Sequence, residues 1–142
     1  MSVRIARWAL LAAVGTACGG ASTLAPADVA GTYVATTISV IINGVTTNML
    51  VKGASVSLTL TADGKSTGRV IVPVIGGVQT VAVDDDLAGS YDLTKDHLQL
   101  KPTAATYLSG MIFTADLPEL RAYLTIQDAS RSGQLTIILR HQ

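Results

Sequence analysis

The stretch Ser55-Val56-Ser57-Leu58-Thr59-Leu60-Thr61 decides the fold. Val56, Leu58 and Leu60 fall on one phase of a period-two repeat, and Ser55, Ser57, Thr59 and Thr61 fall on the other. Successive side chains of an extended chain point to opposite faces. The segment is therefore a strand with one apolar face and one hydroxylated, wet face. Asp63-Gly64 just beyond it predicts a turn.

The same grammar extends in both directions. Upstream, Gly31 to Ile42 is long and β-branched, and Asn43-Gly44 after it is a strong hairpin signal because both residues tolerate positive φ. Val45 to Val51 returns, ending at Lys52-Gly53. Downstream, Arg69 to Ile75 is apolar on both phases. Pro73 cannot donate to a ladder, which predicts an edge strand or a bulge there. Gly76-Gly77 turns the chain into Val78 to Val83, and Asp84-Asp85-Asp86 reads as an acidic turn. Leu87, Gly89, Tyr91 and Leu93 alternate again, and Lys95-Asp96 turns into Leu98 and Leu100. Three further strands are expected over Leu108 to Ala115, Leu120 to Ile126 and Gln134 to Arg140. Turns fall at Asp116 to Glu119, which contains Pro118, and at Asp128 to Gly133.

No window sustains the 3.6-residue period over a useful helical length; Asp116 to Ala122 could make a single short turn. Nine or ten short strands with local turns predict an all-β domain. The expected form is a small antiparallel up-and-down β-barrel, with a β-sandwich as the alternative. Closure into a barrel removes the edge strands that would otherwise pair between molecules.

The first residues read differently. Arg4 and Arg7 form a basic region, Trp8 to Val14 an apolar run, and Gly15-Thr16-Ala17 lead to Cys18, the only cysteine. The apolar run is far shorter than the ~20 residues that span a bilayer core. Small residues followed by cysteine resemble the lipobox of bacterial lipoproteins, although Gly15 stands where that pattern more often has leucine. The resemblance implies a cleaved signal peptide over 1–17 and lipidation of Cys18. Residues 18–28 would be a flexible tether, and residues 29–142 the barrel domain. The chain would then hold to a membrane through Cys18. Gly19-Gly20 lack the aspartate that favours inner-membrane retention in some bacteria, which points to the outer membrane, facing the periplasm.

Removal of 1–17 leaves 125 residues, one domain in size, with 8 basic and 10 acidic residues and a charge of −2. That balance gives no electrostatic footprint for nucleic acid. With Cys18 lipidated no disulfide can form, so stability has to come from the apolar core.

Gly31-Thr32-Tyr33, Leu58-x-Leu60-x-x-Asp63-Gly64 and Gly89-Ser90-Tyr91-Asp92-Leu93, followed by Leu98 and Leu100, together resemble the bacterial lipocalin-like (calycin-type) lipoproteins. Tyr33 stands where lipocalins more often carry tryptophan. The resemblance implies about eight strands and a small hydrophobic ligand held inside. Tyr33, Val56, Leu58, Leu60, Val70, Val72 and Tyr91 would line the interior. The alternative is a filled barrel that serves as a structural or protein-interaction lipoprotein. Ile71 and Ile75, on the opposite phase to Val70 and Val72, are its candidate surface patch.

Catalytic chemistry finds no support in the residues. His97 lies on the polar phase beside Leu98 and should face solvent, and His141 is penultimate. Neither sits in a metal-ligand cluster or beside a nucleophile. Asp84 to Asp86 lack the oxygen-and-glycine spacing of a calcium loop. There is no Gly-x-Ser-x-Gly elbow and no strand–glycine–helix phosphate cradle. The sequence leads to no enzyme, no metal and no cofactor.

Overall fold

The computed structural model describes residues 23–127 and 129–142. The expected signal peptide and Cys18 lie outside the described residues. A single helical turn, α1 (Pro26–Val29), is followed by ten strands: β1 (Gly31–Ile42), β2 (Val45–Asn48), β3 (Ser55–Leu60), β4 (Lys65–Val72), β5 (Val83–Asp86), β6 (Gly89–Thr94), β7 (His97–Pro102), β8 (Ile112–Asp116), β9 (Glu119–Gln127) and β10 (Ser132–His141).

Two pairs of these strands are halves of one interrupted strand. Arg69 pairs with Asp86 and Ser66 with Gly89 in a single register, so β5 and β6 run along the same side of β4. β2 and β3 likewise both pair with β1, on its far and near halves, with the turn at 49–53 between them. Counted this way, eight antiparallel strands follow one another. β10 closes the ring on β1, from Tyr33↔His141 to Ile42↔Gly133. The molecule is a closed up-and-down β-barrel.

Alternation explains the core. Val56, Leu58 and Leu60 point inward, as do Val70, Val72, Leu98, Leu100, Leu135, Ile137 and Leu139, and all join one buried cluster. Gly68 occupies an inward position of β4 at φ 143°, and a Cβ there would overlap the backbone carbonyl of Ser57. Only glycine lets the two backbones approach so closely. Asn43 and Gly44 have φ 49° and 81°, the double positive φ of a type I′ hairpin turn.

Three expectations need correction. β4 is an interior strand, not an edge, because Pro73 lies just after its last residue and removes no ladder donor. The strand also begins earlier than its apolar run, since Ser66 and Gly68 occupy inward positions that break the hydrophobic pattern. Val78 to Ala82 belong to a loop, whereas Asp84-Asp85-Asp86, expected as a turn, lie within β5. Finally, β8 starts at Ile112; Leu108 to Met111 form turns and loop.

The barrel has two unlike ends. At one, the connections 61–64, Lys95-Asp96 and Leu117-Pro118 are short, and α1 packs across them. At the other lie the Asn43-Gly44 hairpin, the loops 73–82 and 103–111, and the connection between β9 and β10.

Candidate ligand-binding end of the barrel

The seven side chains expected to line the interior all do point inward. Tyr33, Leu58 and Val70 are fully buried, and Val72, Leu60, Val56 and Tyr91 are no more than 5% exposed. They divide between the two ends. Val56, Val70 and Val72 lie toward the loops; Tyr33, Leu58, Leu60 and Tyr91 lie toward the short turns.

Backbone carbonyls seal that second end. Tyr33 donates its hydroxyl to the carbonyl of Val29 at 2.9 Å, and Tyr91 donates to Thr61 at 2.8 Å and to Pro26 at 3.3 Å. The Leu24 amide donates to Lys95, and the Gln142 amide to Thr32. His141 stands edge-on to Tyr33, ring centroids 5.1 Å apart, with its imidazole over Gly31. Residues 24–28, expected as tether, are thus docked onto the barrel. The sequence signal for this was Pro26 with Asp28, whose carboxylate accepts from the Ala25 amide in a first-turn arrangement. Burial raises the pKa of both phenols, helped by Tyr91 for Tyr33 and by Asp63 for Tyr91.

The loop-bearing end is apolar and open. Ile42 pairs with Val45, and Leu135 with Leu124, so all four share the inward phase. Yet Val45 is 68% and Leu124 46% exposed. Ile42, Asn43, Val45 and Thr47 on the hairpin face Gly76, Gly77 and Val78 on the loop across a cleft of about 280 Å³. A wider, shallower concavity lies beside Asn43, lined by Gln127 and 129–132. The seven interior residues line neither. Sequence reasoning missed this cleft because a glycine-rich turn and a hairpin tip carry no signal that they will face each other.

The acidic triplet is divided by strand alternation. Asp84 points outward and takes both Nε and Nη2 of Arg69, at 2.5 and 2.8 Å. That pairing holds its carboxyl below the usual range. Asp85 accepts from the Tyr107 amide at 2.8 Å, and Asp86 accepts from Ala88. His97 is exposed and contacts Asp96 at 2.6 Å, and the hydrogen bond to the imidazole lowers the Asp96 pKa. Among the described residues no three His, Cys, Asp or Glu side chains gather where a metal ion could be held. Ile71 is 38% exposed, but Ile75 is only 6% exposed. The expected Ile71–Ile75 surface patch therefore does not form. Ile75 is drawn in by the loop's own turn, in which it exchanges backbone bonds with Gln79. No helix among the described residues is long and apolar enough to cross a membrane. No known protein family, curated protein or solved structure matches the chain.

Proposed function

We propose that this chain is a membrane-anchored, lipocalin-like lipoprotein of the bacterial cell envelope that takes a small hydrophobic molecule at the loop-bearing end of its barrel. One observation carries the reading: inward-phase apolar side chains that are sealed elsewhere become exposed at this end, beside a cleft. Ile42, Val45 and Val78 would supply the apolar contacts, with Thr47 and Asn43 as the polar ones. At about 280 Å³ the cleft is near the lower bound of roughly 300–1,000 Å³ for ligand sites, so the molecule is small. The ligand would rest above the packed layer of Val56, Val70 and Val72 rather than among the tyrosines. The lipid anchor on Cys18 and an outer-membrane, periplasm-facing location belong to the same proposal, which rests on the lipobox resemblance.

Native mass spectrometry after exposure to a lipid extract tests it. The expected result is one discrete added mass, absent in Val45→Asp, which sets a carboxylate in the cleft at an exposed position and leaves the fold intact by circular dichroism. A bare protein mass across lipids and small hydrophobes would overturn it. The second reading, a filled barrel acting through its surface, would then stand, favoured by the near-complete burial of the seven interior side chains.

A further inference from the structure

The ladder of β9 is incomplete on one side. β9 pairs with β10 over nine residues but with β8 over only three, Glu119 to Arg121. The His141 amide donates to the Pro118 carbonyl at 2.8 Å, which sets the phase of the β9–β10 ladder. Leu120, Ala122, Leu124 and Ile126 therefore turn their backbone groups toward β10, and the alternate residues turn theirs toward β8. Past Arg121, β8 has diverged. The N–H and C=O groups of Tyr123, Thr125 and Gln127 face a side with no strand on it, and all three residues are exposed.

Other interruptions of the barrel are blunted. β2 and β5 are four residues each, and β5 carries three aspartates. Ala122 to Gln127 has none of the usual protections: no lysine, no proline, no charge of either sign. It is rich in β-forming residues. Tyr123 is 58% and Leu124 46% exposed, and Ile112, on β8 beside the fork, is 50% exposed. Alternating free donors and acceptors on an apolar strand are satisfied by one kind of partner, an extended backbone.

We propose that this edge, Tyr123 to Gln127, pairs antiparallel with the same edge of a second copy of the chain. Two-fold pairing sets Thr125 beside Thr125 and Tyr123 beside Gln127, so the free groups of each edge meet those of the other. On the inward face it brings Leu124 of each copy against Ile126 of the other. With no charge in the segment, nothing repels the symmetric arrangement. The contact is isologous and stops at a dimer. It is independent of the ligand cleft, whose lining residues it does not use.

Sedimentation and amide hydrogen exchange of the full chain, from micromolar to millimolar concentration, test the pairing. The dimer should form as concentration rises, with slowing exchange at Tyr123, Thr125 and Gln127 while Leu124 and Ile126 stay slow throughout. Thr125→Pro removes only an outward N–H, and Thr125→Lys adds an edge charge. Each should weaken dimerisation by about tenfold or more with an unchanged melting temperature. If Thr125→Pro fails to fold, Thr125→Lys carries the test alone. A monomer at every concentration would overturn the proposal. So would a dimer insensitive to Thr125→Lys, or full protection of the three amides in the dilute monomer.

Discussion

Tyr33 and Tyr91 show how a few side chains set the character of one end of the barrel. Each presents an aromatic ring to the core and a hydroxyl to a carbonyl of the segment that covers it. The Gly-x-Tyr pattern made both residues conspicuous in the sequence, but not what their hydroxyls do. Their acceptors lie in or beside segments with no periodicity, Pro26 and Val29 in α1 and Thr61 at a turn. Tyr33→Phe leaves the buried Val29 carbonyl without its donor and should cost about 1 kcal/mol, lowering the melting temperature by about 4 °C. The same phenols make stability pH-dependent. Their folded pKa values lie above the ordinary value of about 10, so the folded barrel keeps protons that the unfolded chain releases. Stability is whole below that value and falls as pH rises through it toward the raised folded values. Alkaline titration of unfolding free energy should show this decline, and it should be shallower in the Tyr33→Phe, Tyr91→Phe double variant. An identical decline in that variant would assign the effect elsewhere.

At the scale of elements, legibility followed the side-chain pattern rather than the strand. β1, β3 and β10 stand near their expected limits: β3 and β10 alternate apolar residues without interruption, and β1 is β-branched along its length although a bulge between Ala35 and Thr37 moves its inward phase from Tyr33 to Ile38 and Val40. β5 was hidden because its charges resemble a turn. Inside the structure, those charges have separate partners on two faces, and the middle one matters most. Val70 pairs with Asp85, so Asp85 lies on the inward phase. There its carboxylate accepts from the Tyr107 amide and ties the loop 103–111 to the barrel wall. Asp85→Ala should cost about 1.5–3 kcal/mol, as for a hydrogen bond to a charged group, and should speed hydrogen exchange at Tyr107. Asp84→Ala removes only the exposed pairing with Arg69 and should leave both quantities near their original values. Equal effects from the two variants would mean that the loop is held by something other than Asp85. The open side of β9 was also beyond sequence reasoning. Its residues read as an ordinary strand, and only the early divergence of β8 leaves one side of them without a partner strand past Arg121.

On the scale of the whole molecule, the fold would separate the proposed attachment at Cys18 from the candidate binding cleft. Closure was legible as a preference, because consecutive strands with local turns must either close or leave edges. Which end would be sealed was not, since that depends on where the residues before β1 dock. Residues 24–29 dock on the short-turn end. Six residue steps separate Cys18 from Leu24, which a chain spans in at most about 22 Å. A lipid on Cys18 would therefore hold that end near the membrane. Strands of this length, tilted as in small barrels, place the cleft about 25–30 Å farther out. Fluorophores on the anchored protein, with a quencher in the lipid headgroups, should report this directly. A label at Ala62, in a short turn, should be quenched strongly, and one at Gly77, beside the cleft, weakly. Reversed or equal quenching would mean that the barrel lies on its side or faces its cleft to the lipid, and the ligand would then be drawn from the membrane itself. With Gly77 outward, a ligand of the cleft would arrive from the aqueous side, so it would have to be soluble enough to reach the cleft or be delivered by another carrier.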